Sequence, residues 1–142
     1  MISTIDDTMP YILSLNRYFS AGDTHAATLA ILLDLGLSVQ CDGFIYLRIA
    51  IERKLSEPQL RCQDIYEAVC DEYDCSVTPA QVEQSIRSAI DSAWNCSAWE
   101  RWDPLFPPEK GERRKRPSNH SFISRIACIL ELWSCCRRDR LG

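Results

Sequence analysis

The chain has 142 residues, 46% hydrophobic and 25% charged, so it matches an ordinary globular domain that can bury one core. Its 16 basic and 20 acidic residues give a net charge of −4, so the overall composition does not indicate a nucleic-acid binder. The start, MISTIDDTMP, lacks the basic residues of a secretory signal, and the most apolar run, residues 29–37, is too short to span a membrane. The sequence therefore predicts a cytosolic protein with no membrane partner.

Helical periodicity recurs along the chain and strand patterns are scarce, which predicts an all-α fold. We expect a single compact domain of about six helices, containing a helix-turn-helix, over residues 24–133. Residues 1–23, broken at Pro10, are expected to form an N-terminal arm, either loosely attached or a short helix. Residues 134–142 are expected to form a basic, solvated C-terminal tail.

The first two helices of this domain are expected before Pro58. Thr24 can cap a helix that runs to Leu35, and Gly36 then occupies the position where a left-handed conformation favours glycine. Asp42 can cap a second helix, which must stop before the proline. Three apolar residues share one face of that helix and are predicted to enter the core: Phe44, Leu47 and Ile51.

A third helix is predicted from Gln63 to Tyr73, followed by a short turn and a fourth helix. Thr78 is a suitable N-cap, Pro79 suits the first helical position, and Gln81 completes a capping box. Apolar residues recur every three or four positions, which predicts one buried face on each helix. These residues are Ile65, Tyr66, Val69, Cys70 and Tyr73 on the third helix, and Val82, Ile86, Ala89, Ile90 and Ala93 on the fourth.

Two more helices are predicted after the fourth. Ser97 and Glu100 make a second capping box, which predicts a short helix ended by the segment DPLFPP. Residues 109–117, EKGERRKRP, are expected to form a charged loop, after which Ser118 or Asn119 starts the last helix. Its predicted core stripe is Phe122, Ile126, Ile129, Leu130 and Trp133. The tryptophans are expected in the core rather than as stacking platforms: Trp94, Trp99, Trp102 and Trp133.

The eight cysteines contain no C-x-x-C pair, and neither His25 nor His120 clusters with them in the sequence, so the zinc signal is weak. Cys62 and Cys70 fall on the apolar side of a helix, and we expect reduced thiols in a cytosolic chain. No glycine-rich phosphate loop, H-E-x-x-H motif or nucleophile elbow occurs. The sequence therefore predicts a protein that is not an enzyme and has no cofactor or metal, with a thiol- or zinc-based sensor as a minor alternative.

The helices predicted at 63–73 and 79–94 are separated by a short turn, as in a helix-turn-helix whose second helix enters the major groove. An αα-hairpin without a nucleic-acid role is the alternative. On the fourth helix, four residues are left on the exposed face, with Glu83 and Arg87 on its flanks: Gln81, Gln84, Ser88 and Asp91.

Four blocks carry a family resemblance, in consistent order over about residues 24–133: GFIYLRIAI (43–51), IYEAVCDEY (65–73), TPAQVEQSIRSAIDSAW (78–94) and RPSNHSFISRIACILEL (116–132). They resemble the C-terminal effector domain of the sporulation initiation response regulator of endospore-forming bacteria. The resemblance implies a six-helix domain that binds a promoter element, often as tandem copies, and activates or represses transcription. It also implies that the fourth helix lies in the major groove, with Glu83 and Gln84 facing base edges and Arg87 serving the backbone or a base.

The chain departs from that family in three respects. The family's full regulator begins with a receiver domain, for which the roughly 23 residues before the matched region are too few, so we expect control without phosphorylation in cis. The family favours Arg at the positions of Gln81 and Gln84, and since Arg recognises guanine whereas Gln recognises adenine, the target should differ. It also favours a basic pair in place of Asp71 and Glu72, and the turn here is about two residues longer.

Charge also argues against a strong grip on DNA by the helix-turn-helix itself. Residues 60–94 contain two basic and seven acidic residues, a net charge of −5, and duplex affinity comes largely from cations that displace counterions. The missing positive charge is expected to come from a basic loop that contacts phosphate. The alternative is that this loop is only a solvated run of charges. Its basic residues are Lys110, Arg113, Arg114, Lys115 and Arg116. Glu83 has two interpretations, as an acceptor for cytosine or as an acid suited to the first turns of a helix.

The sequence therefore predicts a sequence-specific, DNA-binding transcriptional regulator whose recognition helix is 78–94. Its predicted partner is a double-stranded promoter element, and RNA polymerase or a second copy on tandem sites are further candidates. The predicted DNA-binding residues are Gln81, Glu83, Gln84, Arg87 and Ser88 together with the basic loop. The alternative is a protein-interaction module of the same fold that modulates a full-length regulator or the polymerase.

Overall fold

The structure, a computed structural model, describes residues 9–15, 19, 23–96 and 99–141, with side chains up to Cys135. The described residues form helices and no strand, which confirms the predicted all-α fold. The helices are α1 (9–15), α2 (Thr24–Asp34), α3 (Asp42–Ser56), α4 (Cys62–Tyr73), α5 (Pro79–Cys96), α6 (Trp99–Trp102) and α7 (Asn119–Leu141).

Helix α3 occupies the centre of the fold and packs against α2, α4, α5 and α7. Its predicted core residues Phe44, Leu47 and Ile51 are all buried. At Gly43, α3 approaches α5 so closely that an added Cβ would lie 2.4 Å from the carbonyl oxygen of Ser85. Glycine is therefore required there by the contact between the two helices, because any side chain would push them apart.

The turn after α2 confirms the role predicted for Gly36, which has a φ of 91°. The N–H of Gly36 donates to the carbonyl oxygen of Leu33, and the N–H of Leu37 donates to that of Leu32. This pair of bonds is a Schellman motif, with Leu37 buried behind it. The helix itself ends at Asp34, one residue earlier than predicted, with Leu35 as the C-cap.

Two predicted caps are wrong by one residue. Thr24 is the first residue of α2 rather than its N-cap, which is Asp23, and the side chain of Asp23 makes no capping bond. Similarly, Cys41 is the N-cap of α3 and Asp42 is its first residue. Helix ends are less sharply encoded than helix interiors, because neighbouring positions can both satisfy the unpaired N–H groups.

The structure differs from the expected arm and tail at both ends of the described chain. In α1, Ile12 and Leu15 are buried in the same core as α2 and α3, so the part of the arm that the structure describes is not loosely attached. At the other end, α7 continues to Leu141, so residues 134–141 prolong the last helix instead of forming a separate irregular tail.

Helices α4 and α5 form the helix-turn-helix, and the capping box predicted at the start of α5 is confirmed. The N–H of Thr78 donates to Oε1 of Gln81 at 2.8 Å, while the N–H of Gln81 donates to Oγ1 of Thr78 at 3.2 Å. The turn is held by Asp74, whose Oδ1 accepts from the hydroxyl and the N–H of Ser76. These bonds, the hydroxyl first, hold the pKa of Asp74 below its usual value.

The buried faces follow the predicted stripes with two exceptions. The stripes of α5 and α7 are buried throughout, as are four of the five apolar residues predicted for α4. Tyr73, predicted to be buried, is 51% exposed and meets Tyr46 edge-on. Trp99, predicted to enter the core, is 53% exposed, whereas Trp102 is buried. The predicted capping box at Ser97 lies outside the described residues, and α6 begins at Trp99.

Candidate nucleic-acid interface

Helix α5 presents a polar face to the outside because its apolar stripe is packed against α3 and α4. Gln84 and Ser88 are exposed one turn apart on that face, and Nε2 of Gln84 donates to Oγ of Ser88 at 3.3 Å. Arg87 has 50% of its side chain exposed, and its Nη2 lies 3.7 Å from Oε2 of Glu83. The two side chains predicted to contribute most to base reading, Gln84 and Arg87, are thus exposed within the described part of the chain.

Gln81 is exposed at the start of α5, but part of its side chain is already used. Its Oε1 accepts the N–H of Thr78 in the capping box. Recognition of adenine by a Gln side chain uses both the amide oxygen and the amide nitrogen. Gln81 would have to give up its cap to make that pair, whereas Gln84 would give up only a side-chain contact with Ser88.

Arg114 of the basic loop is held against α6 and the residue that follows it. Its Nε and Nη2 donate to the two carboxylate oxygens of Asp103 at 2.9 and 2.7 Å, and its guanidinium stacks 3.7 Å from the ring centre of Trp99. Hydrogen bonding to Arg114 lowers the pKa of Asp103, and the same bond raises the pKa of Arg114. A forked ion pair of this kind fixes the loop against α6. The stacked arginine also accounts for Trp99 lying at the surface.

Arg116 connects the loop to α5. Its Nε forms an ion pair with Oδ1 of Asp91, and its Nη1 donates to the carbonyl oxygen of Pro117. The loop therefore lies beside the exposed face of α5, where a phosphate flank would be expected. Two of the five basic residues predicted to bind phosphate, Arg114 and Arg116, are however already paired with carboxylates.

The other three basic residues of the loop, Lys110, Arg113 and Lys115, are exposed. Within the described residues, none of these three forms an ion pair. Gly111 has a φ of 81° and lies next to Lys110, so the loop turns sharply at this point. These three cations are the ones whose charge is available to a phosphate without first breaking an internal pair.

Most acidic side chains of residues 60–94 have a hydrogen-bond or ion-pair partner within the protein. Glu72 pairs with Arg53 of α3 at 3.2 Å, and Oδ2 of Asp64 accepts the N–H of Arg61 at 3.3 Å. Six of the seven acidic side chains in this region accept a hydrogen bond or form an ion pair: Asp64, Glu67, Glu72, Asp74, Glu83 and Asp91. Among the described residues, only three of these side chains pair with a cation, namely Glu72, Glu83 and Asp91. The others accept from neutral donors, so they keep their negative charge at this surface.

A pocket opens where α4, α5 and the start of α7 meet, and sequence patterns did not predict it. Asn119 is 92% buried at this junction, with 8% of its surface exposed, and its Nδ2 donates to the hydroxyl of Tyr66 at 3.2 Å and to the carbonyl oxygen of Glu83 at 3.1 Å. It thereby joins three helices. The only signal for Asn119 in the sequence was its position as a helix start. The lining residues are Cys62, Tyr66, Glu83, Arg87, Arg116, Ser118, Asn119 and His120.

The fold brings together a cysteine and a histidine that are far apart in the sequence. Nδ1 of His120 lies 3.6 Å from Sγ of Cys62 in this pocket. Cys70 is buried, as predicted, and burial raises the pKa of its thiol. Among the described residues, no three His, Cys, Asp or Glu side chains come together in a group that could hold a metal ion.

An all-α bundle in which a capped, polar-faced helix follows α4 through a short turn has the architecture of a helix-turn-helix protein. Residues 28–130, well over half of the chain, match the sequence model of the family described as Sporulation initiation factor Spo0A C terminal. The chain belongs to this family, which confirms the resemblance noted in the sequence. The family is one of DNA-binding transcription factor domains involved in sporulation, so this chain has the general role of a DNA-binding effector domain. In the part of the chain that the structure describes, no helix is both long and apolar enough to cross a membrane.

Proposed function

We propose that the protein is a sequence-specific transcriptional regulator that inserts α5 into the major groove of a promoter element. The observation that carries this proposal is the exposure of Gln84, Arg87 and Ser88 on one side of α5, while the opposite side is buried. An α-helix fits the major groove, where each base pair presents a distinct set of donors and acceptors. The general role of the family in binding DNA supports the same conclusion.

Gln84 is the residue to which we assign most of the base reading. Its amide can bond adenine at two positions, and exchanging its 3.3 Å contact with Ser88 for a base costs little. Glu83 would accept from the amino group of cytosine, and Arg87 would then move from Glu83 to a phosphate or a guanine. We expect the preferred element to contain adenine opposite Gln84, where relatives with Arg at this position would select guanine.

Affinity would come from the basic loop more than from α5. Lys110, Arg113 and Lys115 are exposed and unpaired within the described residues, and Arg116 brings the loop next to α5. Three phosphate contacts predict that the logarithm of the binding constant falls with the logarithm of salt concentration with a slope of about −3. Arg114 would act indirectly, by holding the loop in place through Asp103.

Selection of duplexes from random DNA, followed by titration of the selected duplex at several salt concentrations, tests this proposal. Gln84→Ala should weaken discrimination at one base pair by about 1 to 3 kcal/mol and leave the salt slope unchanged. Gln59→Ala, which alters an exposed glutamine between α3 and α4, is the matched control and should change neither quantity. Binding that is blind to sequence, or absent at low salt, would rule out the proposed regulator.

A second candidate function is a protein-interaction module with the same fold. It is favoured by α4, where Glu67, Asp71 and the half-exposed Tyr73 lie on the surface. A basic partner protein, such as RNA polymerase or a full-length regulator, would suit that surface, as would a second copy that offers its basic loop. Co-purification of such a partner that persists after nuclease treatment, together with no selection of a DNA sequence, would favour this function over base reading.

A further inference from the structure

The pair formed by Cys62 and His120 brings together two elements that are far apart in the sequence. Cys62 is the first residue of α4, and His120 is the second residue of α7. Sγ of Cys62 lies 3.6 Å from Nδ1 of His120, across 58 residues of chain. At this separation the imidazole can accept the proton of the thiol, as in the thiol–imidazole pairs that generate nucleophilic sulfur.

The surroundings of this pair are polar. The thiol is at the N-terminal end of the 12-residue helix α4, where the partial positive charge of unpaired N–H groups stabilises an anion. Arg87 and Arg116 line the same pocket, as does Glu83, which pairs with Arg87. Burial raises the pKa of Tyr66 to about 12, opposed by its hydrogen bond with Asn119 and helped by the charge of Cys62 and a hydrogen bond to it. The phenol therefore stays protonated at neutral pH and can donate to the sulfur.

The pocket also contains an acceptor without a donor. Asn119 lines it with 92% of its surface buried, and its Oδ1 has no hydrogen-bond partner in the described part of the chain. A buried unpaired acceptor is costly, by about 1 to 3 kcal/mol, and a site that contains one is suited to a group that brings an O–H or N–H. An oxygen added to Sγ of Cys62 would supply such an O–H inside the same pocket.

We propose that Cys62 is a peroxide-reactive thiol and that His120 is the base that accepts its proton. The thiolate sulfur attacks one oxygen of hydrogen peroxide, forming an S–O bond as the O–O bond breaks. The leaving hydroxide takes the proton held by His120 and becomes water. Cys62 is thereby oxidised by two electrons to a sulfenic acid, and the peroxide is reduced. The new S–O–H group would share the pocket with Asn119, whose Oδ1 lacks a donor in the described part of the chain, and with Glu83 and Arg87 of α5.

The other thiols of the chain provide internal references. Cys75, Cys96 and Cys128 are exposed and are not placed beside a histidine by any contact in the described residues. If access to solvent alone controlled oxidation, these three would react faster than the half-buried Cys62. The proposed pair predicts the opposite order.

The test is to treat the reduced, purified chain with hydrogen peroxide at neutral pH in the presence of dimedone, and to follow tagging of each cysteine by peptide mass spectrometry. Cys62 should be tagged faster than Cys75, Cys96 and Cys128. His120→Gln should slow tagging of Cys62 roughly tenfold, within the limit of about thirtyfold set by the few per cent of an ordinary thiol that is ionised at pH 7.

His25→Gln is the matched control, because His25 is the chain's other histidine and pairs with Glu52, outside the pocket. It should leave every tagging rate unchanged. Both histidines are exposed, so unchanged thermal unfolding of the two variants checks that folding is preserved. Tagging of Cys62 no faster than the exposed thiols, or unaffected by His120→Gln, would overturn the proposal. The assay contains no DNA, so its outcome does not depend on the proposed regulator function.

Discussion

The ion pair between Asp91 and Arg116 places a carboxylate in competition with DNA phosphate for the same guanidinium. Asp91 is on α5 with 48% of its side chain exposed, and Arg116 is at the end of the basic loop with 27% exposed. At such exposure the pair contributes no more than about 1 kcal/mol to stability. Asp91→Asn should therefore leave the fold intact while it removes a negative charge from α5 and releases Arg116.

The expected gain in DNA affinity can be worked out from counterion release. One additional phosphate contact steepens the salt slope by about 0.9, which corresponds to about eightfold tighter binding at 0.1 M salt and to no gain near 1 M. Fluorescence anisotropy titrations of the selected duplex at four or more salt concentrations would measure both quantities. We expect the slope to change from about −3 to about −4.

Two control variants separate the release of Arg116 from a general change in charge. Asp71→Asn removes one negative charge from an exposed position on α4, the same change in net charge as Asp91→Asn. It should change the DNA affinity and the salt slope less than Asp91→Asn does. Asp91→Asn combined with Arg116→Ala should lose the gain. If Asp91→Asn binds DNA no better than the wild type, or if the double variant keeps the gain, the reasoning about competition is refuted.

Three further predictions concern stability and are measured by urea unfolding. Thr78→Ala removes the acceptor for the N–H of Gln81 and should cost about 1 kcal/mol. Gly43→Ala places a Cβ 2.4 Å from a backbone oxygen of α5 and should cost about 3 kcal/mol or more, since backbone cannot yield as a flexible side chain can. Asp103→Asn should destabilise the protein at neutral pH but not in acid, because the pKa of Asp103 is lowered in the folded state. The stability that its charge contributes is fully present above the unfolded-state pKa of about 3.9 and is lost as the pH falls through the folded-state pKa. An unchanged midpoint for Thr78→Ala would contradict the capping role, and an unchanged midpoint for Gly43→Ala would contradict the close approach of α3 and α5. A destabilisation by Asp103→Asn that persists at pH 2 would show that its cause is not the charge.

The local structure of this protein is determined by its sequence, because each signal involves residues that are neighbours in a helix or turn. The Thr78–Gln81 capping box, the left-handed Gly36 and the buried stripes of α5 and α7 all depend on spacings of one to four residues. Tyr73 shows the limit of such reasoning, since it lies at the correct spacing on α4 but at the end of the helix, where Tyr46 of α3 covers only part of it.

The candidate site depends on contacts that no local spacing encodes. The pairs Arg116–Asp91, Arg114–Asp103 and Cys62–His120 join residues that are 11 or more positions apart, and each exists because the start of α7 and the loop before it pack against α4, α5 and α6. A charge run in a sequence shows how many cations are present, but not which of them already face a carboxylate. Only the tertiary structure decides that, because an ion pair forms where packing brings two side chains within a few ångströms, whatever their separation along the chain.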